Sequence, residues 1–181
     1  MPLSKQGAVA NPPEFLTLKG NRDPSNRVEL AARRLLFVAL AALSTVALLG
    51  LLGQMPRESR ATAAGAELEV LAPKRLRGGL FYQGRFTIES KAGIENARLV
   101  LDRGWLEGTH VNTIEPAPTE ESSRDGRLAL GFGEIPAGDT FVLYMQFQVN
   151  PTNVGRRSQD VELYDGQTRL AVVDRTVTIF P

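Results

Sequence analysis

Hydrophobic positions along the chain follow two regimes that meet near residue 54. Residues 35–53, LLFVALAALSTVALLGLLG, run without a charge. A helix of that length rises about 28 Å, close to the ~30 Å hydrocarbon core of a bilayer. Its Leu, Val and Phe side chains favour insertion by about 3–6 kcal/mol. Ser44 and Thr45 interrupt it at little cost, since each hydroxyl can donate to a carbonyl oxygen of the preceding turn. Asp23-Pro24 reads as an N-cap followed by proline at the first helical position. The pattern predicts a juxtamembrane and transmembrane helix over residues 23–54. It is preceded by a disordered tail over residues 1–22, where Asn11-Pro12-Pro13 and Gly20-Asn21 break regular structure. A signal peptide cleaved near Ala63 is the alternative, with Ala61-Thr62-Ala63 as its small-x-small site. The long leader and long apolar run favour a retained anchor.

Beyond a polar linker, residues 55–65, the period shortens to two. In residues 140–150, TFVLYMQFQVN, the side chains Phe141, Leu143, Met145, Phe147 and Val149 alternate with Tyr144, Gln146 and Gln148. That is a strand with one buried face. Phe86 and Ile88, Leu99 and Leu101, Leu128 and Leu130, and Val161 and Leu163 repeat the pattern more briefly. Thr176–Phe180 is rich in β-branched residues. Turn signals separate these runs, among them Arg77-Gly78-Gly79, Asp125-Gly126, Asn150-Pro151 and Asp165-Gly166. Seven or more short strands at this spacing predict an all-β antiparallel sandwich over residues 66–181.

Charge adds an orientation. The net charge of +1 argues against a nucleic-acid partner, which needs a large basic footprint. Residues 1–34 carry six basic against three acidic residues, whereas the chain beyond the apolar run carries a slight acidic excess. Lys19, Arg22, Arg27, Arg33 and Arg34 precede the run, and only Arg57 and Arg60 follow it closely. The positive-inside bias predicts a cytoplasmic N-terminus and an extracytoplasmic sandwich on a single-pass cell-membrane anchor. The chain has no cysteine, which removes disulfides, thiolate nucleophiles and zinc–sulfur sites. Its excess of Arg over Lys fits a GC-rich bacterium.

Candidate chemistry is sparse. His110 is the single histidine, with no HExxH pair and no G-x-S-x-G serine to work with. It is expected in a loop after Trp105. The turn aspartates Asp125, Asp139 and Asp165 have sufficient backbone roles, and no DxDxDG calcium loop is present. Trp105, the sole tryptophan, lies between Gly104 and Gly108 and either caps the core or faces a partner. Arg156 and Arg157, expected in the loop after Asn150-Pro151, suit an anionic surface. Trp105, His110, Arg156 and Arg157 are therefore the candidate partner-binding residues. No catalytic residue, metal site or cofactor is expected.

The order YQGRFTIES, GIENARLVLD, LGFGEIPAGDTFVLYMQFQV and a closing VTIFP resembles bacterial immunoglobulin-like surface modules of the conserved-repeat and CARDB (cell-adhesion-related) kinds. The matching features are residues 85–90, 93–102, 133–140, 141–150 and Thr176–Phe180. The resemblance implies an immunoglobulin-like antiparallel β-sandwich, here preceded by one transmembrane α-helix. It further implies a cell-envelope location and a non-enzymatic accessory role. The partners expected are a membrane or envelope protein, and the lipid bilayer through residues 35–53, with no small-molecule ligand. The alternative is an envelope glycan-binding or glycan-cleaving domain built on Trp105 and nearby acids.

Overall fold

The computed structural model describes residues 25–49, 54–63 and 65–181. The chain divides into two compact units, residues 1–51 and 52–181. The tail over residues 1–22 and the Asp23-Pro24 cap lie outside the described residues. In the first unit, α1 (Ser25–Leu48) carries the apolar run. Arg27–Leu48 is long and apolar enough to cross a membrane. Its side chains Leu36, Phe37 and Val38 are exposed among the described residues. Thr45 Oγ1 donates to the Ala41 carbonyl oxygen at 2.8 Å, as expected of a hydroxyl in such a span. The helix was expected to run to residue 54; its described end is Leu48, and residues 50–53 lie outside the description.

The second unit consists of β1 (Pro56–Thr62), β2 (Ala66–Pro73), β3 (Arg75–Arg77), β4 (Phe81–Ser90), β5 (Ile94–Leu101), β6 (Thr109–Glu115), β7 (Glu120–Arg124), β8 (Arg127–Ile135), β9 (Thr140–Val149), β10 (Gly155–Ser158), β11 (Val161–Asp165), β12 (Thr168–Val173) and β13 (Thr176–Phe180). One five-stranded sheet has the order β1-β2-β4-β9-β6 and a second the order β12-β11-β5-β8-β7. Every pair in these two sheets is antiparallel. A three-stranded sheet, β10-β13-β3, includes one parallel pair, β13 with β3. The expected class, an immunoglobulin-like β-sandwich preceded by one apolar helix, is the architecture observed.

Alternation explains the core. On β9 the inward set Leu143, Met145, Phe147 and Val149 is wholly buried, while Tyr144 and Gln146 are exposed. These side chains join Phe86 and Ile88 of β4, Leu99 and Leu101 of β5, and Leu163 of β11 in one cluster. Leu76, Val177 and Ile179 bring the inner face of the three-stranded sheet into the same core. Each such side chain contributes roughly 1.5–3 kcal/mol on burial.

Turn chemistry supplies the connections. Between β7 and β8, Arg124 pairs with Arg127 across Asp125-Gly126, with φ values of 54° and 72°. Two consecutive positive φ values define the hairpin turn whose twist matches that of the strands. β12 also lies against β1 and β2 and closes the sandwich along that edge. At the other edge β6 and β7 end the two sheets, and β6 carries a register shift between Val111 and Thr113.

Three segments differ from expectation. The linker expected over residues 55–65 is largely strand β1: its pairing with β2 sets Arg60 beside Glu67 and Glu69, at 2.8 and 2.9 Å. His110 lies in strand β6 rather than in a loop. Arg156 and Arg157 lie in strand β10, paired with Thr178 and Val177.

Candidate interaction surface

The outward side chains of the first sheet form rows set by its register. Leu71, Arg85, Tyr144 and Glu115 follow one another across β2, β4, β9 and β6. Gln83, Gln146 and Thr113 form the next row, and Phe81, Gln148 and His110 the one after. Phe81 is 63% exposed and Tyr144 41%. Both rings border a depression of about 260 Å³ lined also by Pro56, Leu71, Pro73 and Arg85. On the side of this patch, Arg60 pairs with Glu58, Glu67 and Glu69, and Arg85 pairs with Glu69 at 3.0 Å. Two exposed rings thus stand beside a group of ion pairs on this face.

The outer face of the second sheet is closed on itself. Val100, Ala129 and Tyr164 are buried there as a small separate cluster. The Arg124 guanidinium lies 4.2 Å from the centre of the Tyr164 ring. Tyr164 donates from its hydroxyl to Glu162 at 2.6 Å, and Arg127 pairs with the same carboxylate at 2.9 Å. Burial pushes the Glu162 pKa up, but the hydrogen bonds from Tyr164 and Arg127 outweigh it and hold the carboxyl below its ordinary value.

The four residues singled out by sequence do not form one site. Trp105 sits at the end of a short 3₁₀ turn, Arg103–Trp105, and is fully buried. Its ring packs 5.2 Å from Phe86 and 5.3 Å from Phe147, and its Nε1–H donates to the Gln159 carbonyl oxygen at 2.9 Å. Core packing is the role it takes. His110 is exposed on the first sheet, in the Phe81 row. Arg156 is exposed on β10, and Arg157 is half-buried, 3.5 Å from Glu107. Phe81 and Tyr144 were not singled out, yet a signal existed. Adjacent strand residues point to opposite faces, so Phe81-Tyr82 must turn one ring away from the core.

Beneath the surface, Trp105 belongs to a buried polar cluster. Arg175 is 3% exposed; its Nη2 donates to the Ala72 and Pro73 carbonyl oxygens at 3.2 and 2.9 Å, and its guanidinium stands 4.8 Å from the Trp105 ring. Burial pulls its pKa down to about 10. Gln159 Nε2 donates to the Tyr82 hydroxyl at 3.3 Å, and burial pushes the Tyr82 pKa up to about 12. A phenol with a raised folded pKa gives stability that is fully present below the unfolded value near 10 and lost as pH rises through about 12. The stability difference between wild type and Tyr82→Phe, followed by urea unfolding, is therefore expected to shrink by about 2 kcal/mol from pH 10 to 12. A constant difference would refute the shift.

Three aspartates serve the backbone. Asp102, Asp160 and Asp165 each accept a main-chain N–H at 2.8 Å, from Arg103, Arg175 and Asn96. Among the described residues no group of three or more His, Asp or Glu is placed to hold a metal ion.

No protein-family model matches the chain, and no curated protein matches it. Among solved structures it is similar to a non-cellulosomal cohesin from the hyperthermophilic archaeon Archaeoglobus fulgidus, at 16% identity over 70% of this chain and 92% of that one, with a TM-score of 0.38. It is also similar to CaCohA2 from Clostridium acetobutylicum, at 14% identity over 65% and 92%, TM-score 0.41. A third is the ASH/PapD-like domain of human CEP192, at 12% identity over 65% and 84%, TM-score 0.33. At these identities the likeness concerns the fold alone.

Proposed function

We propose that this chain is a membrane-anchored, non-enzymatic interaction module of a bacterial cell envelope. In this reading α1 crosses the membrane with the N-terminus in the cytoplasm. Residues 54–181 are displayed on the far side, where the outer face of the first sheet binds a membrane or envelope protein. The observation that carries the reading is the pair of exposed rings, Phe81 and Tyr144, beside one shallow depression. Exposed aromatic side chains gathered at a depression are the usual anchors of protein interfaces. The glycan reading relied on Trp105 as a stacking platform, and a ring with no exposed surface offers a sugar nothing to stack on.

The test is affinity purification of the intact chain from solubilised membranes, beside a Phe81→Ser/Tyr144→Ser variant. One stoichiometric membrane protein is expected with wild type and at least about tenfold less of it with the variant, since interface anchors are worth 1–2 kcal/mol or more each. Both side chains are exposed, so the variant's melting temperature stays close to that of wild type. Recovery of the chain alone, or equal capture by both forms, would overturn the reading.

A further inference from the structure

The outer face of the three-stranded sheet differs in chemistry from every other face of the sandwich. Its register sets Arg156, Thr178 and Arg75 in one row, and Phe180 beside Arg77 in the next. Val154 immediately precedes β10, whose first residue, Gly155, pairs with Ile179. None of the three strands contains an acidic residue. Lys74, Arg77 and Arg156 are exposed and form no ion pair with any described residue. Beside these cations stand apolar side chains: Val154 is 47% exposed, Phe180 46% and Leu80 48%. The Gly78 N–H donates to the Phe180 carbonyl oxygen at 2.8 Å, which ties the turn before Leu80 to the same end.

We infer that this face docks on the anionic headgroups of the bilayer that α1 enters, a step that rests on the membrane-anchored reading above. Exposed cations outside any ion pair, here Lys74, Arg77 and Arg156, are attracted to anionic lipid, while apolar side chains beside them enter the headgroup layer. A protein partner would ordinarily meet such a face with its own acids. The chain's path favours lipid. Gln54, the first described residue of the second unit, has its side-chain amide 3.1 Å from both the Arg77 N–H and the Phe81 carbonyl oxygen; with its oxygen and nitrogen exchanged, it accepts from the first and donates to the second. The described part of the second unit thus begins beside Arg77, at the end that carries Phe180 and Leu80. Five residues, 49–53, join Leu48 to Gln54, and fully extended they reach no more than about 20 Å. The bilayer is the one surface this connection always keeps within range.

The absence of cysteine makes the test clean. The full chain carrying Val154→Cys with a polarity-sensitive dye is reconstituted into vesicles of phosphatidylcholine, alone or mixed with phosphatidylglycerol. Phosphatidylglycerol is expected to shift the dye emission to the blue and to expose it to quenching by headgroup spin-labelled lipid. Raised salt and the variant Lys74→Gln/Arg77→Gln/Arg156→Gln are expected to abolish both effects. Each cation near an anionic surface is worth about fivefold, so losing three weakens docking about a hundredfold. A dye at Gln167→Cys, in the β11–β12 hairpin at the other end of the strands, is expected to stay in water throughout. A Val154 dye that reports water in both vesicles, or a blue shift that the triple variant retains, would overturn the inference. If alkaline carbonate washes the chain out of the vesicles, the anchored reading fails and this inference falls with it. If the chain is retained while the dye stays in water, only this inference fails.

Discussion

Trp105→Ala is expected to destabilise the sandwich by about 4 kcal/mol and to lower its melting temperature by roughly 10–20 °C. The ring has no exposed surface and packs between Phe86 and Phe147. Its removal leaves a cavity where the two sheets meet the 3₁₀ turn. It also takes away the ring face next to the Arg175 guanidinium and leaves the Gln159 carbonyl oxygen without its donor. Trp105→Phe keeps most of the volume but loses the N–H and part of the ring, so about a third of the effect is expected. Calorimetry of the intact chain in detergent reads both variants. A tryptophan whose loss moved the transition by only a degree or two would be a surface residue, contrary to the packing described.

Gly104→Ala is expected to cost nearly as much, about 2–4 kcal/mol, although it adds one methyl group. A Cβ on Gly104 would be driven into the Ser158 carbonyl oxygen and would stand 2.9 Å from the Arg157 Cβ. The obstacle is backbone, so β10 itself must retreat. A retreat of β10 loosens its pairing with β13 and unseats Trp105, the next residue in the turn. Gly126→Ala is the contrast. Its cost comes from a φ of 72° in the β7–β8 turn and from the end of the Arg103 side chain at 2.6 Å. Because a flexible guanidinium can move aside, roughly 1–2 kcal/mol is expected. Urea midpoints that ranked Gly126→Ala as the worse of the two would contradict the close approach at Gly104.

What could be read from sequence follows from how each strand is buried. The long strand of Thr140–Val149 was plain, because one face is wholly inside and the other is polar. Thr176–Phe180 was plain for its β-branched residues. β1, PRESRAT, has almost no apolar alternation; it becomes a strand through its ladder with β2 and the Arg60 ion pairs, which depend on a partner strand. β6 was hidden by its own irregularity: the register shift at Asn112 puts Val111 and Ile114, its half-buried apolar residues, three positions apart, and a period of two disappears. β10 is four residues long with Arg157 on its inner side, so it carries no hydrophobic signal. Among the candidate residues, Trp105 takes the core-capping alternative of the two that its glycine-flanked position left open. Gly104 is there because the turn lies hard against β10. His110 and Arg156 are both exposed, but only the sheet register shows that they belong to different faces.

The irregular edge at Val111–Thr113 bears on how many copies can live side by side. Proteins held on one surface are crowded into a thin layer, where a straight, bare strand would invite neighbours to zip together into fibres. With Asn112 inserted, β6 offers an interrupted ladder that an identical neighbour cannot match over its whole length. Pro116, one residue past the strand, supplies no N–H to extend it. At the opposite border β12 lies against β1 and β2. At β6, then, the break at Asn112 and the proline that follows deny an identical neighbour a continuous ladder.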